Sequence, residues 1–408
     1  MKKNILPIIM GNMLEAYDFC LYGLLAVVFA KLFFPANYNY ALTFSFLLFT
    51  IAYISRPFGS LLWGSLADRY GRKPILMATL AVMGISAVGI AIVPKYSSIG
   101  ITAAFIILFL RLLQGIAFGG EYPTTMVMLY ETAPKHLKGC ICSLTSSATC
   151  FGHVIGLLLI ISTLLLTGKE AFYDWSWRFL FGVSIVFLVL ITYIRRNLKE
   201  TLQIEKRETS PFKSTLKQWR TIIKIVLFVS PLKVLFFTYA YYIGVLLRYS
   251  QTSISEITVF AMQSLMMMFL ICLIPVMAYV GDVTERVKQV KYSLLALIVG
   301  IIPIYKLLIS QNLTYAIIAI LCLGIFIAAM GGSSYVIMIQ KIRKDSRVSM
   351  AGVSDSFAVM IFGSTAPMIN EILVKTFNSN LAPAYYILVL SIISLFSLVS
   401  LNKQSDLL

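Results

Sequence analysis

Charge is scarce in this sequence of 408 residues. Asp, Glu, Lys and Arg make up 12% of it, against 59% hydrophobic residues and a mean hydropathy of +0.87. A soluble domain uses roughly twice that charge to cover its surface, so an ordinary soluble fold is excluded. Acids are the scarcer sign, with 17 Asp plus Glu against 34 Lys plus Arg and a formal net charge of +17. Histidine occurs twice and cysteine six times. Cys20, Cys140, Cys142, Cys150, Cys272 and Cys322 lie in or beside apolar runs without a framework spacing, and say nothing about a disulfide compartment. Cys140, Cys142, Cys150 and His153 come nearest to a metal set, yet on a helix Cys140 and Cys142 diverge by about 200°. No metal site is expected, and no cofactor. A phosphate-cradling loop with its lysine and a nucleophile triad are also missing, so the chain does not read as an enzyme.

What fills the sequence instead is a series of apolar runs of about 18 residues or more. Twelve stand out: 5–33, 41–66, 74–93, 97–122, 139–167, 176–195, 221–247, 253–280, 288–309, 313–337, 348–374 and 382–402. They predict an all-α integral membrane protein with twelve transmembrane helices. A net positive charge can signal nucleic acid, but here the basic residues alternate between the runs. One set of links holds Lys2, Lys3, Arg69, Arg72, Lys73, Lys135, Lys138, the group from Arg195 to Lys224, Arg286, Lys288, Lys291, Lys341 to Arg347, and Lys403; the other holds only Lys31, Lys95, Lys169, Arg248, Lys306 and Lys375. The positive-inside rule makes the first set cytoplasmic, which gives a multi-pass protein of the cell (inner) membrane with both termini inside. The charge then serves topology and anionic lipid, with no nucleic-acid partner. Met1-Lys2-Lys3 before an apolar run imitates a secretory signal, but Glu15 and Asp18 interrupt it and no small-residue cleavage site follows. An uncleaved first helix is expected.

The polar segment 196–220 divides the chain into two bundles of six helices, 1–195 and 221–408. Asp282 and Arg286 follow the eighth run at the spacing of Asp68 and Arg72 after the second, a faint internal repeat. Two similar bundles facing each other suit alternating access, with the substrate site near the midplane between them.

The stretch Gly64-Ser65-Leu66-Ala67-Asp68-Arg69-Tyr70-Gly71-Arg72-Lys73 resembles the loop motif of the major facilitator superfamily. Gly11-Asn12-Met13-Leu14-Glu15-Ala16-Tyr17-Asp18-Phe19, Ser55-Arg56-Pro57-Phe58-Gly59, Arg111-Leu112-Leu113-Gln114-Gly115, Gly119-Gly120-Glu121-Tyr122-Pro123, Trp177-Arg178-Phe179, Arg196-Asn197-Leu198-Lys199-Glu200-Thr201 and Phe362-Gly363-Ser364-Thr365-Ala366-Pro367 are similar to the metabolite–proton symporter family. That family includes carriers of proline and betaine, dicarboxylates, shikimate and aromatic acids. The likeness runs from residue 11 to about 201 and returns at 362–367. Ala16 departs from it, standing where the family commonly has Trp, and the Asp282 region keeps little of the loop motif. The resemblance implies the major facilitator fold and proton-coupled import of a small organic solute, a proline/betaine-type zwitterion or an organic acid. The partners it implies are that small-molecule substrate and the lipid bilayer, with the chain acting as a monomer. A long charged C-terminal extension, which some osmosensing members carry, does not follow Leu401-Asn402-Lys403, so osmotic gating by such a tail is not expected.

Ionisable groups inside a bilayer cost at least ~2.5–3.5 kcal/mol each unless paired or hydrated, which makes each a functional candidate. Glu15 and Asp18 stand one turn apart on one face of the first span, where mutual repulsion and burial favour proton carriage. The deeper Asp18 is the preferred proton-coupling residue; the alternative is that both acids simply pair with Arg56 or Arg111. Arg111, with Gln114 one turn away, either forks onto a substrate carboxylate or stays paired with Asp18. Glu121 lies ten residues on, about 15 Å nearer the cytoplasm, and suits an inner gate or proton exit. Within this first-half set the acids Glu15, Asp18 and Glu121 outnumber the bases Arg56 and Arg111 by one, leaving room for a proton.

The loop motif is expected to gate: Asp68 accepts hydrogen bonds from the start of a neighbouring helix, while Arg69 and Arg72 bridge to acids across the bundle interface. Asp282 and Arg286 form its reduced echo, which makes the gate asymmetric; the bland alternative is a positive-inside anchor. Tyr17, Tyr22, Phe237, Tyr239, Tyr241 and Tyr242 either box a quaternary ammonium by cation–π contact or pack. Asp355 and Glu371 are the second-half acids available to a cationic headgroup. His153 either joins a proton path or is a hydrogen-bonded packing residue. Three readings stay open: the proton-coupled importer; a drug-type proton antiporter, although Gly152 is followed by His153 where such exporters carry Gly-Pro; and a nontransporting sensor, which would not need Asp18, Arg56, Arg111 and Glu121.

Overall fold

A computed structural model describes residues 2–35, 41–196, 215, 217–250, 256–343 and 346–405. Most of the central segment, including Asn197 to Thr201 of the symporter-like stretch, lies outside the described residues. The helices in chain order are α1 (Lys2–Leu24), α2 (Ala26–Phe33), α3 (Ala41–Tyr70), α4 (Arg72–Ile92), α5 (Tyr96–Ile99), α6 (Thr102–Thr132), α7 (Lys138–Ala171) and α8 (Trp177–Arg195). They continue with α9 (Trp219–Phe237), α10 (Ile243–Ser250), α11 (Glu256–Val283), α12 (Arg286–Leu308), α13 (Leu313–Gln340), α14 (Arg347–Ala358), α15 (Ala366–Phe377) and α16 (Ala382–Ser405). Helix occupies each of the twelve apolar stretches, and among the described residues nine helical stretches meet the length and hydropathy needed to cross a membrane. One of these, Lys135–Arg195, is 61 residues long and kinks at Gly168, whose φ of 78° is open to glycine.

A bilayer supplies no water to backbone amides, so the apolar runs close their hydrogen bonds within helices. Their outward faces remain apolar, with Ile92, Phe105, Phe109, Leu166 and Val299 all exposed. Such a contiguous apolar surface is a lipid-facing one. The first bundle packs α1 on α7, α3 on α6 and α4 on α6 and α8; the second packs α9 on α16 and α13 on α11 and α12. The two meet along α3 with α14 and along α7 with α11.

At three places the helix widens to a π turn, Phe172–Ser176, Thr238–Tyr242 and Val359–Gly363. The last two interrupt the helical stretches running from α9 to α10 and from α14 to α15, on the second bundle's side of the interface. π turns of this kind often mark functional segments, because the extra residue redirects side chains and loosens the backbone ladder.

The α3–α14 crossing is close enough to demand glycine. A Cβ on Gly64 would lie 2.7 Å from the Ser349 Cα, a backbone atom that cannot swing away. Gly71, between α3 and α4, holds φ at 112° and makes the sharp turn of the charged loop. A Gly64→Val variant should therefore wedge α3 from α14, at a cost of about 1–3 kcal/mol by overpacking. The expected readout is a lower thermal midpoint in detergent and freer access of a thiol reagent to the interface; an unchanged midpoint and unchanged access would contradict the close crossing.

Candidate functional site

Phe49, Tyr53, Arg56, Ser60, Gly64 and Asp68 recur every three or four residues along α3, so they share one face. That face meets the second bundle in tiers. First come aromatic pairs: Phe49 with Tyr241 at 5.7 Å between ring centroids, and Tyr53 with Phe237 at 5.5 Å, both edge-on. About 18 Å of helix separates Arg56 from Asp68, and the two anchor the remaining tiers.

The middle tier is ionic. Arg56 Nη2 lies 3.3 Å from Asp355 Oδ2, and Lys233 Nζ lies 2.5 Å from Asp355 Oδ1. Lys233 also donates to the Tyr335 hydroxyl at 2.5 Å, and the Arg56 guanidinium stacks 3.5 Å over the Phe118 ring. All three charged residues are buried: Arg56 and Asp355 are 3% exposed and Lys233 7%. They line a cavity shared by both bundles, together with Asn12, Ala16, Ser146, Thr149, His153 and Tyr241. Thr149 O accepts from His153 Nδ1 at 3.0 Å, so in the neutral ring Nε2 accepts from the Tyr241 hydroxyl at 2.9 Å. His153 therefore ties α7 to the π turn of the second bundle across the cavity.

The third tier is a pair of matching locks. Asp68 accepts from the backbone N–H of Val348 at 3.3 Å and of Ser349 at 3.0 Å, and from the Ser349 hydroxyl at 2.8 Å. Asp282 accepts from the N–H of Gly139 and of Cys140, each at 2.9 Å. Each carboxylate thus satisfies orphan donors in the first turn of a helix of the opposite bundle, where the helix dipole favours negative charge. Arg72 and Arg286 each stand four residues after their acid and pair with it. The arrangement expected to be asymmetric is thus two-fold in geometry: each half sets an acid against a helix start, and Asp282 keeps that although the surrounding motif is gone.

Several expected placements need correction. The contacts of Arg72 given among the described residues lie in the first bundle and not across the interface: it bonds Ala67 O at 2.9 Å and Glu131 at 3.1 Å. Arg69 is exposed and lies over Tyr70. Arg111 is fully buried between α3 and α1, donating to Leu48 O, Phe49 O and Gln114 Oε1 and stacking on Tyr22 and Phe19. It does not line the cavity and makes no ion pair with Asp18, which instead accepts from Ser184. Glu15 is buried with neither oxygen hydrogen-bonded; its charged neighbours are Arg56, Glu121, Asp355 and Arg195. The aromatics expected to form a box divide: Phe237 and Tyr241 line the cavity, whereas Tyr17, Tyr22, Tyr239 and Tyr242 do not. Tyr17 donates to Leu180 O, Tyr22 lies under Arg111, Tyr242 donates to Glu371, and Tyr239 is buried near Gly324. Of the residues expected to carry the proton, hold the solute or gate, Arg56 lines the cavity, and from the wider candidate set so do His153, Phe237, Tyr241 and Asp355.

Glu121 is not free either. It pairs with Arg195, a fully buried residue that also donates to Pro7 O, Ile8 O and Leu76 O, and it accepts from Thr79. Gly11 passes directly over the pair, where a Cβ would lie 1.9 Å from Glu121 Oε1. Arg195 went unrecognised because it ends its span and counts naturally among the inside lysines and arginines. Lys233 and Asp355 were visible as charges in apolar runs, but nothing in the sequence pairs residues 122 apart. With Arg195, Lys233 and Asp355 included, four acids and four bases occupy the bilayer interior among the described residues, so no acid is left over.

The model of the Major Facilitator Superfamily matches residues 16–367. The citrate-proton symporter of Salmonella typhi is 30% identical over 396 residues, covering 94% of this chain and 90% of that relative. The proline/betaine transporter of Salmonella typhimurium is 26% identical over 423 residues, covering all of this chain and 84% of that relative. Among solved structures, the proton:xylose symporter XylE bound to 6-bromo-6-deoxy-D-glucose superposes with a TM-score of 0.78 at 17% identity, covering 98% of this chain and 94% of that one. An inward open conformation of XylE from E. coli superposes less well, at 0.65 with 15% identity, 98% and 95% covered.

Removing one partner of a buried ion pair strands the other, which costs about 3–5 kcal/mol. Glu121→Ala should therefore destabilise the first bundle by that amount, read as a fall in thermal midpoint, whereas the exposed Arg69→Ala should stay within about 0.5 kcal/mol of wild type. Equal effects would contradict this assignment.

Proposed function

The chain belongs to the major facilitator superfamily, and on that premise we propose that it imports a small organic solute, a zwitterion or an organic acid, by proton-coupled alternating access. The observation that carries this reading is the cavity between the bundles with Arg56, Lys233 and Asp355 in its wall. A site at a bundle interface near mid-membrane is what alternating access requires, because each face can be opened by rocking one bundle on the other. The solutes named for the two relatives, proline or betaine and citrate, all carry a carboxylate, which buried Arg and Lys donors suit. The chain acts as a monomer with both termini in the cytoplasm, an orientation supported by the basic links.

The locks supply the gate. Asp68 and Asp282 hold the basic, cytoplasmic face shut by bonding helix starts across the interface, and rocking the bundles must break both sets of bonds together. Proton entry at the central charges is then linked to opening at the face about 18 Å away through the rigid length of α3.

Uptake by reconstituted protein under an imposed inward proton gradient tests the reading. At least one of labelled proline, glycine betaine, citrate and shikimate should accumulate, and collapsing the gradient should abolish accumulation. Gradient-independent behaviour for all four would contradict it. Ala16→Trp, which puts an indole into the cavity wall, should cut that uptake at least tenfold without lowering the amount of folded protein; wild-type uptake would show that the solute passes elsewhere.

A further inference from the structure

Asp355 is gripped by cations from both bundles, Arg56 of α3 and Lys233 of α9. Tyr335 of α13 bonds the same lysine, Tyr122 of α6 packs on Tyr335, and Glu15 of α1 is a further acid whose charge reaches the cluster. Counted with Glu15, the local set holds two cations and two acids, so it is balanced when all four are ionised. Arg56, Lys233 and Asp355 line the cavity, and Glu15 does not.

We propose that the Arg56–Asp355–Lys233 cluster is a shared site for one proton and one solute carboxylate, with Asp355 as the proton acceptor. The inference rests on the transport reading above and deepens it. A solute carboxylate that docks on Arg56 and Lys233 adds one negative charge at their end of the cavity, whether or not the solute carries an ammonium at its other end, and in that buried medium a locally unbalanced charge is costly. One proton on a carboxylate oxygen of Asp355 restores the balance. It also leaves the acid neutral, so the N–H donors of Lys233 and Arg56 that Asp355 had occupied turn to the solute carboxylate, which takes the place of the lost anion. No covalent bond forms apart from the O–H on Asp355, and loss of that proton on the far side reverses the exchange. Protonation of Glu15 would balance charge equally well but would release neither cation toward the cavity. Because Arg56 and Lys233 belong to opposite bundles, the exchange replaces a fixed tie through Asp355 with one through a solute that can leave, which couples filling and emptying of the site to rocking.

The test uses the full chain in proteoliposomes with labelled glycine betaine and citrate, and choline as competitor. Choline keeps the quaternary ammonium of glycine betaine and lacks its carboxylate, so a hundredfold excess should not displace betaine, whereas unlabelled betaine should. Asp355→Asn should lose gradient-driven accumulation at least tenfold while counterflow at equal pH persists. The paired variant Lys233→Met with Asp355→Asn removes one charge of each sign and leaves Arg56 and Glu15 to balance each other, so it keeps the test open if the single variant fails to fold; it too should lose accumulation at least tenfold, with exchange weakened by the loss of one solute donor. Accumulation near the wild-type level in either variant, or loss of coupling in Glu15→Gln alone, overturns the inference while leaving transport standing. Choline displacing betaine as well as betaine itself does the same. A wild-type chain that exchanges solute but ignores the gradient overturns the transport reading, and this inference with it.

Discussion

An ionised group in the middle of a bilayer has to find its counter-charge inside the protein, and the rest of this molecule is arranged around that requirement. Among the described residues eight charged side chains lie in the interior, and the surroundings of six of them divide the labour. Glu121 and Arg195 neutralise each other within the first bundle and, through the carbonyls of Pro7, Ile8 and Leu76, tie α1, α4, α6 and α8 together. Arg111 is stabilised by carbonyls and aromatic faces and fastens α6 to α3. Asp355 is paired with Lys233 inside the second bundle and with Arg56 across the bundle interface. The first two arrangements make a bundle rigid; the third makes the contact between bundles depend on charge.

The same division explains how a local event at the cavity reaches the basic face. α3 presents Phe49, Tyr53, Arg56, Ser60, Gly64 and Asp68 to the second bundle along a single stripe, so the aromatic pairs, the ionic tie and the lock are carried by one continuous helix. Close crossing at Gly64 and Ser349 leaves little slack between them. On the other side of the interface, π turns at Thr238–Tyr242 and Val359–Gly363 place adaptable backbone next to the cavity, facing the rigid stripe.

Much of the fold was legible in the sequence, since hydropathy and the alternation of lysine and arginine are statements about a bilayer, and helix occupies every stretch they marked. The loop motif's principal acid was legible too: an Asp in a basic turn finds its reason in a helix start, and Asp68 meets one. The central site was much less so. Sequence reasoning favoured Asp18 and Arg111 because both are charged and near mid-span, but depth along a helix does not say which way a side chain faces. Asp18 turns to Ser184 and Arg111 to carbonyls of α3. Lys233 and Asp355 look unremarkable singly; their meaning is their distance from each other and from Arg56, which only tertiary packing creates. Asp282 shows the converse, a degenerate motif whose one indispensable atom pair survives.

The central claim is that charge exchange at Arg56, Asp355 and Lys233 permits the bundles to part. Spin labels on the cytoplasmic ends of α3 and α14, read as a distance distribution at several pH values with and without the transported solute, test it most directly. The distribution should shift to longer distances when solute and acid pH are present together and stay short with either alone. Opening by solute alone at alkaline pH, or by acid alone, would contradict the account.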